Sequence, residues 1–139
     1  MALRLLQTTS FIWAGGLLAI ALEAQVKFNA PTVTKEIGLD VGRHVFGAVN
    51  KAELGLWVAL LGTLFASAPV PDLWWAVAGV STILALQTAW VLPILQRQAK
   101  AIIEGKAVPD ADYAHVGYIF LEVAKITGLF FIGWNAVPS

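Results

Sequence analysis

Cysteine is absent from this chain, methionine occurs once (Met1), and charge is sparse: Asp, Glu, Lys and Arg make up 13% of 139 residues, about half the share of an average soluble domain. Without cysteine there is no disulfide, no thiolate nucleophile and no zinc–thiolate site. With no internal methionine, a soft copper site is excluded too. Neither charge sign is in excess, nine basic residues against nine acidic. No basic surface therefore argues for nucleic acid as a partner. Phosphate loops, nucleophile elbows and metal-protease motifs are also missing.

What the chain has is apolar sequence, 58% of its residues. A fold of this size makes one domain, and a soluble one could not cover that much apolar surface. Four runs stand out, about 5–25, 45–66, 73–95 and 115–137. Each approaches the ~20 residues that cross a ~30 Å hydrocarbon core. Backbone polar groups in lipid must be satisfied within the segment, so these runs are helices. The expected fold is all-α, an integral membrane four-helix bundle running up-down-up-down, with the lipid bilayer as its first partner.

The connections set the orientation. Segment 67–72 is short, holds two prolines and has no Lys or Arg, which forces spans two and three to be antiparallel neighbours. The two long connections carry Lys27, Lys35, Arg43, Arg97, Lys100 and Lys106, against Arg4 alone on the opposite side. That bias puts the long connections in the cytoplasm and both termini outside, in an inner (plasma) membrane. Trp13, Trp74, Trp75 and Trp134 fall near one boundary and Tyr113 and Trp90 near the other, as in two interfacial belts. A rival reading takes Arg4, the run Phe11–Leu22 and the small residues Ala19, Ala21 and Ala24 as a signal peptide. Cleavage would leave three spans and carry Lys27, Lys35 and Arg43 outside, against the bias.

The cytoplasmic connections carry local signals. Helix three is expected to continue through Gln96–Glu104 and stop at Gly105, with a kink at Pro93. Asp110 or Asp112 is an expected N-cap for helix four. The spacing of Val33, Ile37 and Val41 suggests a short interfacial helix after Pro31. Gly15, Gly16, Gly47, Gly55 and Gly62 suggest places where helices approach closely, without an apolar GxxxG motif.

The candidate site consists of ionisable groups inside the spans. Burying one there costs roughly 2.5–3.5 kcal/mol on insertion scales, so such groups face a bundle interior. Glu53, Gln87 and Glu122 each lie roughly 10–12 Å inside the same boundary at ~1.5 Å per residue. Glu23 lies shallower, with Lys27 four residues later. Phe46, Asn50, Glu53 and Trp57 share one helical face; His115, Tyr118, Glu122 and Lys125 share another. If the faces meet, Glu53 pairs with Lys125, and Asn50 with Tyr118 or Gln87, in a polar pocket open to the cytoplasm. The bland reading is that Glu122–Lys125 and Glu23–Lys27 merely neutralise each other along their own helices and that polar groups glue the bundle. His44 and His115, at the starts of helices two and four, are candidates for haem or metal ligation.

Two stretches resemble a known family. WAGGLLAIALEAQVKFNAPTVTKEIGLDVGRHVFGAVNKAE has a Gly-containing first helix, Phe28 shortly before Pro31, and Gly42 and Phe46 in a Gly-x-x-x-Phe spacing. LQTAWVLPILQRQAKAIIEG followed by HVGYIFLEVAKITGL supplies Gln87, Pro93, Arg97, then His115-x-x-Tyr118 and Glu122-x-x-Lys125. Together they resemble the small four-helix membrane proteins that include eukaryotic transmembrane protein 205 and bacterial relatives of unknown function. The resemblance implies four helices and supplies no catalytic residue.

Three functions follow as expectations. The first is a transport, channel or proton-linked module using Glu53, Glu122 and Lys125, with Asn50, Gln87, Tyr118 and Glu23 in support. Four helices are few for a solute pathway, so a homo-oligomer or a larger membrane complex would complete it. The second is an accessory or scaffold subunit with purely structural polar contacts. The third is a haem or metal protein using His44 and His115. A soluble-substrate enzyme is not expected.

Overall fold

The structure, a computed structural model, describes residues 1–67, 70–107 and 112–137. It is all-helical among these residues. Helix α1 spans Ala2–Val26 and runs into a 3-10 turn, Lys27–Asn29; α2 spans Lys35–Phe65. Helix α3, Pro71–Leu86, passes through a π turn, Gln87–Val91, directly into α4, Leu92–Ile103; α5 spans Asp112–Asn135. Counting α3 to α4 as one continuous rod, four helices are long and apolar enough to cross a membrane.

Helix α2 is longer than its apolar run. Rather than a separate interfacial helix, the segment holding Ile37 and Val41 is the first part of α2 itself. Thr34 is the N-cap: its hydroxyl accepts from the Ile37 N–H at 3.3 Å, satisfying one of the donors a helix start leaves open. At the far side, α4 ends at Ile103 and Gly105 takes φ +66°. That left-handed step suits glycine and lets Lys106 turn back to Glu104 at 2.8 Å. The hydrogen bond from Lys106 holds the Glu104 carboxyl below its ordinary range. The N-cap expected from Asp110 or Asp112 lies outside the residues whose side chains are described.

The rod of α3 and α4 is widened rather than sharply broken. The Leu92 N–H bonds back to Gln87 O, five residues earlier. Pro93 explains the device: its ring would clash with the carbonyl four residues before it, and it has no N–H to give. One wider turn absorbs the conflict.

Helix α1 packs against α2 and α5, α5 also packs against α3, and α2 packs chiefly against α1 and then α4. The apolar core draws on the N-terminal part of α1 (Leu6, Trp13), the C-terminal end of α2 (Leu60, Leu64), α3 (Val77, Val80) and the C-terminal part of α5 (Leu129, Ile132). Glycine helps only at particular contacts. A Cβ on Gly128 would sit 2.9 Å from Val80 Cγ2, and one on Gly133 2.8 Å from the Phe11 ring. Gly133 O also accepts from Gln7 Nε2 at 3.1 Å. The close approaches thus lie on α5, and at Gly38 beneath the Phe28 ring. Gly15, Gly16, Gly55 and Gly62 face open space, with nothing within 4 Å, and Gly47 meets only Gln96 at 3.9 Å. The expected packing role for these five is corrected.

The outer surface remains apolar: Ile12, Leu22, Val58, Phe120 and Val123 are all more than half exposed. Trp75, Trp134, Trp90 and Tyr113 are exposed as well. Trp13 is different. It is 1% exposed and belongs to the interior, not to an interfacial belt.

Candidate functional site

Glu53, Glu122 and Lys125 converge with Gln87 on one largely buried centre. Lys125 of α5 is fully buried, and Glu53 of α2 and Gln87 of the π turn are 4% and 3% exposed. Lys125 hydrogen-bonds two of its neighbours and forms an ion pair with a third. It contacts Glu53 Oε1, Gln87 Oε1 at 2.7 Å, and Glu122 Oε2 at 3.0 Å. The Gln87 amide then donates from Nε2 to Glu122 Oε2 at 2.8 Å. Trp13 of α1 donates from Nε1 to Glu53 Oε1 at 2.9 Å. The centre therefore ties α1, α2, α5 and the π turn together in one layer, as the equal depths of Glu53, Gln87 and Glu122 require.

Two carboxylates share one ammonium. The bonds use Glu53 Oε1 and Glu122 Oε2; the second oxygen of each carboxylate makes no side-chain hydrogen bond among the described residues. In a low-dielectric interior each charge needs a counter-charge or hydrogen bonds. Among the described residues, no fully buried side-chain nitrogen or oxygen lacks a partner.

A second polar contact flanks the centre. Thr88, the residue after Gln87, donates to Asn50 Oδ1 at 2.8 Å. Consecutive helical residues point ~100° apart, so Gln87 reaches α5 while Thr88 reaches α2. Asn50 was expected to meet Tyr118 or Gln87, and Thr88 takes that place. Further along, Trp57 donates to Ser81 Oγ at 2.7 Å. Thr88 and Ser81 escape the sequence reading, in which Trp13 is an interfacial residue rather than a partner of Glu53. Hydroxyls and indoles are routine inside apolar helices, and their spacing singles none of them out.

Tyr118 lies one turn before Glu122 and packs edge-on against Phe46, ring centroids 5.6 Å apart. These two rings line a cleft of about 430 Å³ between α1, α2, α4 and α5. The polar pocket was expected at the ion centre; instead the cavity lies beyond the aromatic pair, on the side of the basic connections. Glu23 joins neither feature closely: it is exposed and faces Lys27 at 3.8 Å.

The histidines do not form a ligand pair. The His44 ring is exposed, with Nδ1 2.8 Å from Asp40 O on its own helix. His115 lines the cleft and His44 does not. Among the described residues no three His, Cys, Asp or Glu side chains cluster closely enough to hold a metal ion. The expectation of a haem or metal site on His44 and His115 finds no supporting geometry. No family model, curated protein or solved structure matches the chain.

Proposed function

We propose that the chain is a four-span protein of a bacterial inner membrane, with helices up-down-up-down and both termini on the non-cytoplasmic side. In this reading the Glu53–Lys125–Glu122 centre performs a proton-linked transport or channel step, within a homo-oligomer or a larger membrane complex. The resemblance to the family of transmembrane protein 205 belongs to the same proposal and adds no chemistry of its own.

One observation carries the reading: two carboxylates, Glu53 buried and Glu122 mostly so, share a single ammonium. With both carboxylates ionised the centre is one positive charge short, and a proton is the smallest cation that completes it. The carboxylate oxygens left without a side-chain hydrogen bond are where it would bind. Intramembrane carboxylates with a named partner are a recurrent arrangement in proton relays. The Phe46–Tyr118 pair stands between the cleft and the centre, a position from which it would control proton access.

Glu122→Gln is the test, because glutamine keeps the shape and removes the exchangeable charge. In proteoliposomes carrying a pH gradient, the variant should lose proton flux while melting within a few degrees of wild type. A second reading, a scaffold subunit with structural polar contacts, has its own support in the complete pairing of the buried polar atoms. It expects no flux from wild type and a lower melting temperature for the variant. That pair of results would overturn the proton reading.

A further inference from the structure

The cleft has a composition of its own. Its walls are apolar, built from Phe28, Leu39, Phe46, Leu92, Leu95 and Ile102. Among the described residues its charged lining groups are both cations, Lys27 and Arg43, and no carboxylate lines it. Each of these cations has one described acid beside it, Glu23 by Lys27 and Asp40 by Arg43, and those side chains are 47% and 48% exposed and do not line the cleft. The Lys27 side chain is only 13% exposed, and its contact with Glu23 is long, 3.8 Å. Its ammonium lies over the Phe28 ring, 5.6 Å from the centroid, and near Gly42, where a Cβ would come within 3.4 Å of it. Arg43 spends Nε and Nη2 on one oxygen, Asp40 Oδ1, at 3.1 and 2.9 Å. Its Nη1 donors are not used in any side-chain hydrogen bond among the described residues. Gln96 and Gln98 line the same cleft, and their amides are likewise not engaged by other side chains. At about 430 Å³ the space falls within the ~300–1,000 Å³ of small-molecule sites, which are mostly apolar with a few converging polar groups.

We propose that this cleft binds an amphipathic anion, a carboxylate or phosphate carried on an acyl chain. The chain lies among the apolar walls, and the headgroup meets Lys27 and the free Nη1 edge of Arg43. Guanidinium and ammonium donors form short charge-assisted bonds to such oxygens. The cleft opens on the side of the basic connections, where an anionic lipid headgroup or a free fatty acid could enter from the membrane surface. The site stands apart from the ion centre, and its occupancy does not depend on Glu122.

The experiment uses the full chain in a neutral maltoside detergent, with native mass spectrometry and thermal melting as readouts. The probes are oleate, oleoyl lysophosphatidate, oleyl alcohol and inorganic phosphate. One oleate or lysophosphatidate per chain should bind and raise the melting temperature, while oleyl alcohol and phosphate should not. The double variant Lys27→Gln/Arg43→Gln should bind at least about tenfold more weakly, as expected for losing charge-assisted contacts. Ala99→Trp, which fills the cleft from α4, should lose binding with both charges in place. Lys51→Gln, an exposed cation outside the cleft, should bind as wild type does, and so should Glu122→Gln. Equal binding of oleyl alcohol, binding of phosphate alone, or wild-type affinity in the double variant would overturn the proposal. Lipid analysis of protein extracted from its own membrane separates the sources: bound phospholipid identifies a headgroup, bound fatty acid a free amphiphile, and recovery of neither overturns the proposal.

Discussion

Lys125 hydrogen-bonds Glu53 of α2 and Gln87 of the π turn and pairs with Glu122 on its own helix, so it sits at the middle of the network that joins these elements. Its removal is therefore not a surface change. Lys125→Met would leave Glu53 buried beside Trp13 with no cation, and breaking a buried pair from one side costs on the order of 3–5 kcal/mol. Chemical denaturation in detergent should show that loss. Adding Glu53→Gln to Lys125→Met should recover part of it, because the orphaned charge goes with the carboxylate. Wild-type stability in the single variant would mean that the pair contributes nothing to the fold. Trp13 matters for a related reason: among the described residues its indole is the one neutral donor on Glu53, so the carboxylate keeps a partner whatever the protonation state of its neighbours. Its position twelve residues into α1 is near mid-span at ~1.5 Å per residue, so an interfacial reading misjudges its depth. Burial cannot be read from such a count.

At the scale of helices, the useful contrast is between glycines. Gly133→Val should cost about 1–3 kcal/mol, the usual penalty for overpacking, because its Cβ would enter the Phe11 ring. Gly55→Ala, facing open space, should be neutral or stabilising by roughly 0.5–1 kcal/mol, since alanine restrains the helix better. Melting temperatures of the two variants check both signs. The sequence shows all these glycines and does not rank them. A membrane helix is apolar on every side, so no stripe marks the buried face. The existence of the four long helices was legible for the same reason that their faces were not. Polar residues broke the tie: the depth of Glu53, Gln87 and Glu122, with the spacing to Lys125, located the ion centre. The start of α2 was hidden because Lys35, Glu36, Asp40 and Arg43 end the apolar run while the helix continues. Thr34, a good N-cap, was the available signal. The π turn followed from Pro93, though the sequence suggested only a kink.

For the whole molecule, the two ends of the bundle differ in kind. One is filled by the Leu, Val and Ile core; the other opens into a cleft edged by cations. The cysteine-free sequence makes the orientation directly testable, since any introduced thiol is unique. In intact cells a membrane-impermeant maleimide should label Asp72→Cys and spare Lys35→Cys and Lys106→Cys. The reverse pattern would invert the bundle and put the cleft outside. The ion centre also has a consequence for biogenesis. Helix α5 leaves the ribosome after α1 to α4 and carries Lys125, whereas Glu53 arrives much earlier on α2. A lysine near the middle of a span resists entry into lipid by roughly 2.5–3.5 kcal/mol, and Glu122 on the same helix offsets only part of that. On the proposed membrane reading, α5 thus integrates most readily once the earlier helices stand ready to receive it. The same contact that fixes the finished bundle makes the insertion of α5 a check on the others.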